Sequence, residues 1–324
     1  MDKTVFITRK IPDKAIKMLE SKGYLIDMNL KEAIPTQKQI IKALKRKPYD
    51  AVITLLTDPI NAEVFDAVPE IRMYANYASG YDNIDTIEAK KRGITITNAP
   101  STLASEAVAE HTIVLMLALA ARIVEADRFV RRGKYKGWSP MNFIGTDILG
   151  KTLGLVGAGR IGERVTFYSR GLGLRVIYHD VVRNEKLERE YSATYYASIE
   201  EVLRQADIVS LHVPLLDSTR HLINTDRLRM MKPTSFLVNT SRGPIIDEGA
   251  LVEALNAKVI SGAGLDVFEF EPKLSYGLAK LQNVILTPHI ASASTEARDE
   301  MAEIVANNVI DFFEGRTPRN VVNK

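Results

Sequence analysis

The stretch Gly154-Leu155-Val156-Gly157-Ala158-Gly159-Arg160-Ile161-Gly162 restricts what this chain can fold into more than any other. It continues an apolar run beginning at Lys151 that reads as a buried parallel strand. It leads into a helical pattern, Glu163 to Leu172, and then a second apolar strand, Leu174 to His179, ending in Asp180, eighteen positions past Gly162. A strand, a G-x-G-x-x-G turn, a helix, a strand and an acid in this order form a dinucleotide-binding unit. Gly157 permits the tight turn, Gly159 lets the backbone approach a pyrophosphate, and Gly162 lets the helix pack close to the strand. The helix N-terminus presents free N–H groups and the positive end of its dipole to phosphates. Asp180 can accept hydrogen bonds from an adenosine ribose.

Strand-like and helix-like patterns alternate along the whole chain, as in an α/β protein with parallel sheets. Before the glycine turn, Thr4–Thr8, Tyr24–Met28, Ala51–Leu55, Met73–Asn76 and Thr95–Thr97 read as strands, with helices over Asp13–Lys22 and Gln37–Leu44. A long helix is predicted from Ala104 to about Arg132, followed by a polar, aromatic loop over 133–150. Later strands are Asp207–His212, Ser235–Thr240, Gly262–Val267 and Asn283–Thr287, and a last helix spans Thr295–Phe313. The 324 residues accommodate about two domains. The last helix either returns to the first domain or extends the second, and the residues alone leave both open.

Composition narrows the function classes. The 43 basic and 40 acidic residues are interspersed, which argues against nucleic acid as partner. With no cysteine there is no disulfide framework, thiol catalysis or cysteine-bound metal, and no His/Asp/Glu grouping has metal-ligand spacing. The N-terminus opens directly on a strand, so no signal peptide is expected. The longest apolar stretch, Ile113 to Ala121, is too short to cross a bilayer. A cytoplasmic protein without membrane attachment is the expectation.

In the second half each predicted strand ends in residues suited to a ligand: Gly157, Asp180, His212-Val213-Pro214, Thr240-Ser241-Arg242, Asp266 and Pro288-His289. Open α/β sheets bind ligands beyond the carboxyl ends of their strands. Nicotinamide chemistry additionally needs a group that grips and polarises the substrate and one that moves a proton. Arg242 can grip a carboxylate with two hydrogen bonds. His289 has the right proton affinity for the second task. A carboxylate beside it would hold the ring, and Glu271 or Glu269 can be that partner. A surface arginine in an ion pair, a core histidine and a solvated loop glutamate are the plainer readings of the three.

These residues resemble the D-2-hydroxyacid dehydrogenase family. The resemblance rests on Asn76–Asp85, Gly157–Gly162, Asn239–Asp247, Gly264–Pro272 and Thr287–Ser292, which span nearly the whole chain. It implies a flavodoxin-like substrate domain, residues 1–98 plus 288–324, and a Rossmann NAD(P)-binding domain, residues 99–287, with a dimerisation helix and loop over about 104–150 and a cleft between the domains. It implies Arg242, Glu271 and His289 as the catalytic set, with Glu271 as the histidine's partner. Leu56, Ser79, Gly80, Arg242 and Trp138 would bind substrate. Gly157, Ala158, Gly159, Arg160, Ile161, Gly162, Asp180, His212, Val213, Pro214, Thr219, Thr240, Ser241, Asp266 and Ala291 would bind the coenzyme. Asp266 would contact the nicotinamide carboxamide, and Trp138 would reach the neighbouring subunit of a homodimer.

Leu55-Leu56-Thr57-Asp58 and Trp138-Ser139-Pro140 are similar to glyoxylate and hydroxypyruvate reductases of that family. Phosphoglycerate dehydrogenases usually have an arginine where this chain has Leu56-Thr57. The expected reaction is NAD(P)H-dependent reduction of a small 2-oxoacid to the D-2-hydroxyacid. Alternatives are a phosphoglycerate- or 2-ketogluconate-type dehydrogenase, or a corepressor-like NAD sensor without turnover. A carboxylate at Asp180 repels a 2′-phosphate, so NADH is favoured, while Arg183 keeps NADPH open.

Overall fold

The computed structural model describes residues 3–324. Two compact units emerge, one formed by residues up to Ala104 together with Ala293–Lys324, the other by Ser105–Ser292. The sequence-based boundaries at residues 98 and 287 fall slightly earlier, for two identifiable reasons. The residues opening the long helix stay with the first unit because the Glu300 carboxylate accepts from the Ser101 hydroxyl and, at 2.8 Å, from Leu103 N–H. Residues 288–291 stay with the second because Asp266 accepts the N–H groups of Ile290 and Ala291.

The first unit is a five-stranded parallel sheet made of β1 (Thr4–Ile7), β2 (Leu25–Met28), β3 (Ala51–Leu55), β4 (Met73–Tyr77) and β5 (Thr95–Thr97), in the order β2-β1-β3-β4-β5. Its earlier helices are α1 (Asp13–Glu20), α2 (Gln37–Leu44), α3 (Ala62–Ala67) and α4 (Thr86–Lys91). The central strands are mostly apolar, with Val5, Ile7, Val52, Ile53 and Tyr74 buried, as a sheet covered on both faces requires, and the two buried polar residues Thr54 and Asn76 hydrogen-bond each other at 3.0 Å. α2 starts with a capping box between Thr36 and Gln39.

After β5 the chain forms α5 (Thr102–Ala120) and α6 (Ile123–Arg131) where one helix is predicted. Arg122 adopts a left-handed φ of 55°, and the following loop folds back over the end of α5. Thr146 N–H donates to the Ala120 carbonyl at 2.9 Å. Gly145 lies so close that a Cβ would sit 2.3 Å from that carbonyl oxygen. α5 is long and apolar enough to cross a membrane, yet Ala109, Leu115 and Met116 along it lie in a core cluster of the second unit.

The second unit holds β6 (Thr152–Val156), α7 (Arg160–Gly171), β7 (Arg175–His179), α8 (Glu185–Tyr191), β8 (Thr194–Tyr195), α9 (Ile199–Gln205) and β9 (Ile208–Leu211). It continues through α10 (Thr225–Met230), β10 (Phe236–Asn239), α11 (Glu248–Asn256), β11 (Gly262–Leu265) and β12 (Val284–Leu286). The seven strands are parallel in the order β12-β11-β10-β9-β6-β7-β8, so all carboxyl ends lie on one edge. The chain leaves β6 for β7 and β8, then returns to place β9 on the other side of β6. That reversal is where open sheets of this kind form a crevice.

The last helix, α12 (Thr295–Phe313), belongs to the first unit and packs on α1 and β4, which decides the alternative left open by the residues. Met301, Ala302, Val305 and Ala306 form its buried face, and Tyr24 meets Phe313 edge to face at 4.9 Å. Asn308 Nδ2 donates to the Asn98 carbonyl at 3.0 Å. Replacing the buried Met301 by alanine should destabilise the first unit by about 2–5 kcal/mol, read by denaturant unfolding, while leaving NADH affinity unchanged.

Candidate active site

At the end of β6, Gly157 has a φ of 98°, and a Cβ on it would lie 2.6 Å from the backbone of His212. A Cβ on Gly162 would lie 2.5 Å from the Gly157 carbonyl oxygen. Both glycines are therefore demanded by close backbone approach within the protein. Gly159 differs: it caps α7 in extended conformation, and nothing lies within 4 Å of where its Cβ would be. The protein does not need that glycine, but a pyrophosphate lying over the helix N-terminus does. Arg160 and Ile161 form the first residues of α7.

Asp180 follows β7, and its carboxylate accepts from Ala158 N–H at 2.7 Å and Val182 N–H at 3.2 Å. This places an acid directly against the glycine turn. Arg183 is bound to Glu188 through Nε at 2.7 Å and Nη2 at 2.5 Å, with its guanidinium over the Tyr195 ring. Open space at Gly159, the α7 N-terminus and an acid beside the turn together fit an adenine dinucleotide.

β9 is followed by His212, whose Nε2 meets Ser210 Oγ at 2.9 Å. Burial of the ring pushes its pKa down to about 4, so it is neutral at ordinary pH and unsuited to donate a proton. Val213 and the exposed Pro214 follow. Thr219 Oγ1 donates to the Pro214 carbonyl at 2.6 Å and accepts from Leu216 N–H, closing that loop.

After β10, Asn239 organises the next turn. Its Oδ1 accepts from Ser241 N–H at 3.0 Å and its Nδ2 donates to the Arg242 carbonyl at 2.9 Å. Thr240 is buried and its hydroxyl meets that of Thr112 at 2.9 Å. Arg242 Nη1 donates to the Ser241 carbonyl, and Gly243 follows where a Cβ would collide with the Phe268 carbonyl at 1.9 Å.

Beyond β11 the buried Asp266 begins the segment to Pro272. Spacing could not choose between the two glutamates of this segment, but geometry does. Glu271 Oε2 lies 3.0 Å from His289 Nδ1, whereas Glu269 Oε1 lies 2.6 Å from His221 Nε2. Glu271 Oε1 also accepts from Phe268 N–H at 3.0 Å. Burial raises the carboxyl's proton affinity. The hydrogen bond and charge of His289, Phe268 N–H and the nearby Arg242 guanidinium outweigh it, leaving Glu271 below the usual carboxylate range. The segment after β12 brings His289 here, with Ala291 buried two residues on. The second unit thus collects the glycine turn, Asp180, His212, Arg242, Asp266, Glu271 and His289 on one sheet edge.

The remaining candidates lie elsewhere. In the first unit, Leu56 is half-buried after β3, and the exposed Ser79 and half-buried Gly80 follow β4. Asn98 Nδ2 holds this turn by donating to the Ser79 carbonyl at 2.6 Å. Trp138 is 83% exposed on the loop after α6. Two residues not singled out by the sequence also face the site: His111, on α5, lies 3.1 Å from Thr287 Oγ1. Thr287, just before Pro288-His289 at a strand end, carried a positional signal; His111, inside an apolar helix, carried none.

A family model described as D-isomer specific 2-hydroxyacid dehydrogenase, NAD binding domain, matches residues 113–291. The chain is 49% identical to a glyoxylate reductase of Korarchaeum cryptofilum, covering all of this chain and 97% of that protein. It is 46% identical to one of Thermococcus litoralis, covering all of this chain and 98% of the other. The crystal structure of the TT0316 protein from Thermus thermophilus superposes with a TM-score of 0.91 at 38% identity, over 98% of this chain and 99% of the other. The chain belongs to the D-isomer specific 2-hydroxyacid dehydrogenase family. Within it, this protein is an NAD(P)-dependent oxidoreductase whose NAD-binding domain is the second unit.

Because the Glu271 carboxyl is depressed, its contribution to stability is present above the ordinary carboxylate range of about 4.3 and is lost as pH falls through the lower native value. The difference in unfolding free energy between the native protein and a Glu271→Gln variant should therefore shrink as pH drops from 7 toward 3, as read by urea denaturation at each pH.

Proposed function

We propose that the protein reduces small 2-oxoacids, glyoxylate and hydroxypyruvate foremost, to the corresponding D-2-hydroxyacids, with NADH as the preferred coenzyme. The observation that carries this reading is the 3.0 Å contact between His289 Nδ1 and Glu271, on the sheet edge that bears the glycine turn. The similarity to archaeal glyoxylate reductases over the full chain supports the substrate class.

The glycine turn would hold a nicotinamide coenzyme, which when bound would supply the hydride. Glu271 holds Nδ1 and so leaves Nε2 of His289 as the nitrogen that hands a proton to the substrate's carbonyl oxygen. The negative charge of Glu271 stabilises the imidazolium that carries this proton. Arg242 pairs with the substrate carboxylate and draws charge onto the carbonyl oxygen. Leu56, Ser79 and Gly80 are the further candidates for binding the oxoacid. Asp266 would hold the nicotinamide carboxamide, and Thr240, Ser241, Thr219 and Ala291 would line the coenzyme. Asp180 would accept hydrogen bonds from the ribose diol, and the pairing of Arg183 with Glu188 supports NADH over NADPH.

A homodimer is part of this reading. α6 has no buried residue although Ile123 and Val130 on it are apolar, and Val114, Trp138 and Leu149 nearby in sequence are more than half exposed. Such an apolar surface fits cover by a second copy. Light scattering should give twice the 36.1 kDa chain mass.

A His289→Gln variant should lose on the order of a hundredfold or more in kcat with glyoxylate while NADH still binds; full activity would end the assignment. An Asp180→Ser variant should move the ratio of kcat/KM for NADH over NADPH toward NADPH by about tenfold or more, since the repelling carboxylate is gone.

A further inference from the structure

His289 has a φ of 56°, a left-handed conformation that residues other than glycine adopt uncommonly. The surroundings here centre on one residue, with His289 N–H also lying 3.0 Å from the Thr287 carbonyl. Asp266, fully buried, receives the N–H groups of three successive residues. His289 N–H donates to its backbone carbonyl at 2.8 Å, Ile290 N–H to Oδ1 at 2.9 Å and Ala291 N–H to Oδ2 at 2.8 Å. The Thr287 hydroxyl adds a bond to Oδ1 at 2.6 Å. This clamp winds residues 287–291 around the carboxylate and turns the imidazole toward Glu271.

The clamp is closed from outside by α5. His111 Nε2 lies 3.1 Å from Thr287 Oγ1 and 3.6 Å from Asp266 Oδ1. The Thr287 hydroxyl has one proton, and its short approach to a carboxylate commits that proton to Asp266. Its lone pair is what remains for His111, so His111 must carry a proton on Nε2 and donate it. One turn of the network is thereby fixed in direction, from His111 to Thr287 to Asp266. The neighbouring Thr112 hydroxyl meets that of Thr240, so two successive residues of α5 brace two strand ends.

We propose that His111 is a positioning residue for the reaction: through its Nε2–H bond to Thr287 it keeps the Asp266 clamp in the geometry that aims His289 at Glu271. The inference rests on the oxoacid reductase reading for its kinetic consequence but not for its structural one. His111 acts through Thr287 and Asp266, the partners its ring meets. Its removal acts on the chemical step, because a shift of the proton donor by about 1 Å can cost up to a hundredfold in rate.

The test compares His111→Phe, which keeps the ring and removes the donor, with His111→Gln, whose amide N–H can take the place of Nε2–H. The first should lower kcat with glyoxylate by about 10- to 100-fold, with the NADH Kd within twofold of the native value. The second should recover most of that loss. Thr287→Val and Thr287→Ser form a parallel pair that does not depend on the folding of the His111 variants, with loss in the first and recovery in the second. The proton on Nδ1 of His289, read as a low-field resonance by NMR, should broaden or move upfield in His111→Phe and be retained in His111→Gln. Native kcat and an unmoved resonance in folded His111→Phe would overturn the proposal while leaving the reductase reading intact, and so would a His111→Gln variant as impaired as His111→Phe. Absence of turnover in the native protein would instead defeat the reductase reading, and the resonance would still decide the role of His111.

Discussion

Burying a carboxylate is costly unless hydrogen bonds replace the water it loses, and in this protein that requirement shapes the catalytic edge. Asp266 is fully buried after β11 and takes Thr287 Oγ1, Ile290 N–H and Ala291 N–H as its replacement shell. Satisfying the acid forces the chain after β12 to curl around it. The same curl puts His289 in a left-handed conformation and sets its ring against Glu271. The geometry proposed for proton transfer is thus a by-product of solvating a buried charge with backbone.

The parallel order of the sheet explains how distant residues arrive at this place. The glycine turn, Asp180, His212, Arg242, Asp266 and His289 each follow a different strand, and parallel strands release them on one edge. Backbone approach then tightens the arrangement. Gly157 lies against His212, and Gly243 lies against Phe268, each too close to admit a Cβ. The second contact presses the Arg242 turn onto the segment that carries Glu271.

Much of this was legible in the residues because it is written in local pattern. Apolar runs ended by turn residues marked the strands, and α2 and α12 fall on the predicted spans Gln37–Leu44 and Thr295–Phe313. What was not legible depends on contacts far apart in sequence. The break at Arg122 comes from a loop returning to cap Ala120, which no helical periodicity reveals. The short helices α3, α4, α8, α9 and α10 carry six or seven residues each, too few for a periodic apolar face to stand out. Glu269 and Glu271 look alike along the chain, and only the fold gives His221 to one and His289 to the other. Nothing in the local sequence marks His111, because its partner lies 176 positions away.

The central claim is that Glu271 holds Nδ1 of His289 so that the proton exchanged with substrate resides on Nε2. Nitrogen-15 NMR of the histidine rings, only five in the chain, measures this directly. His289 is expected to carry its proton on Nδ1 in the neutral ring, and a Glu271→Gln variant to lose this tautomer preference. An Nδ1 that is unprotonated in the neutral ring, or a titration identical in the native protein and the variant, would contradict it.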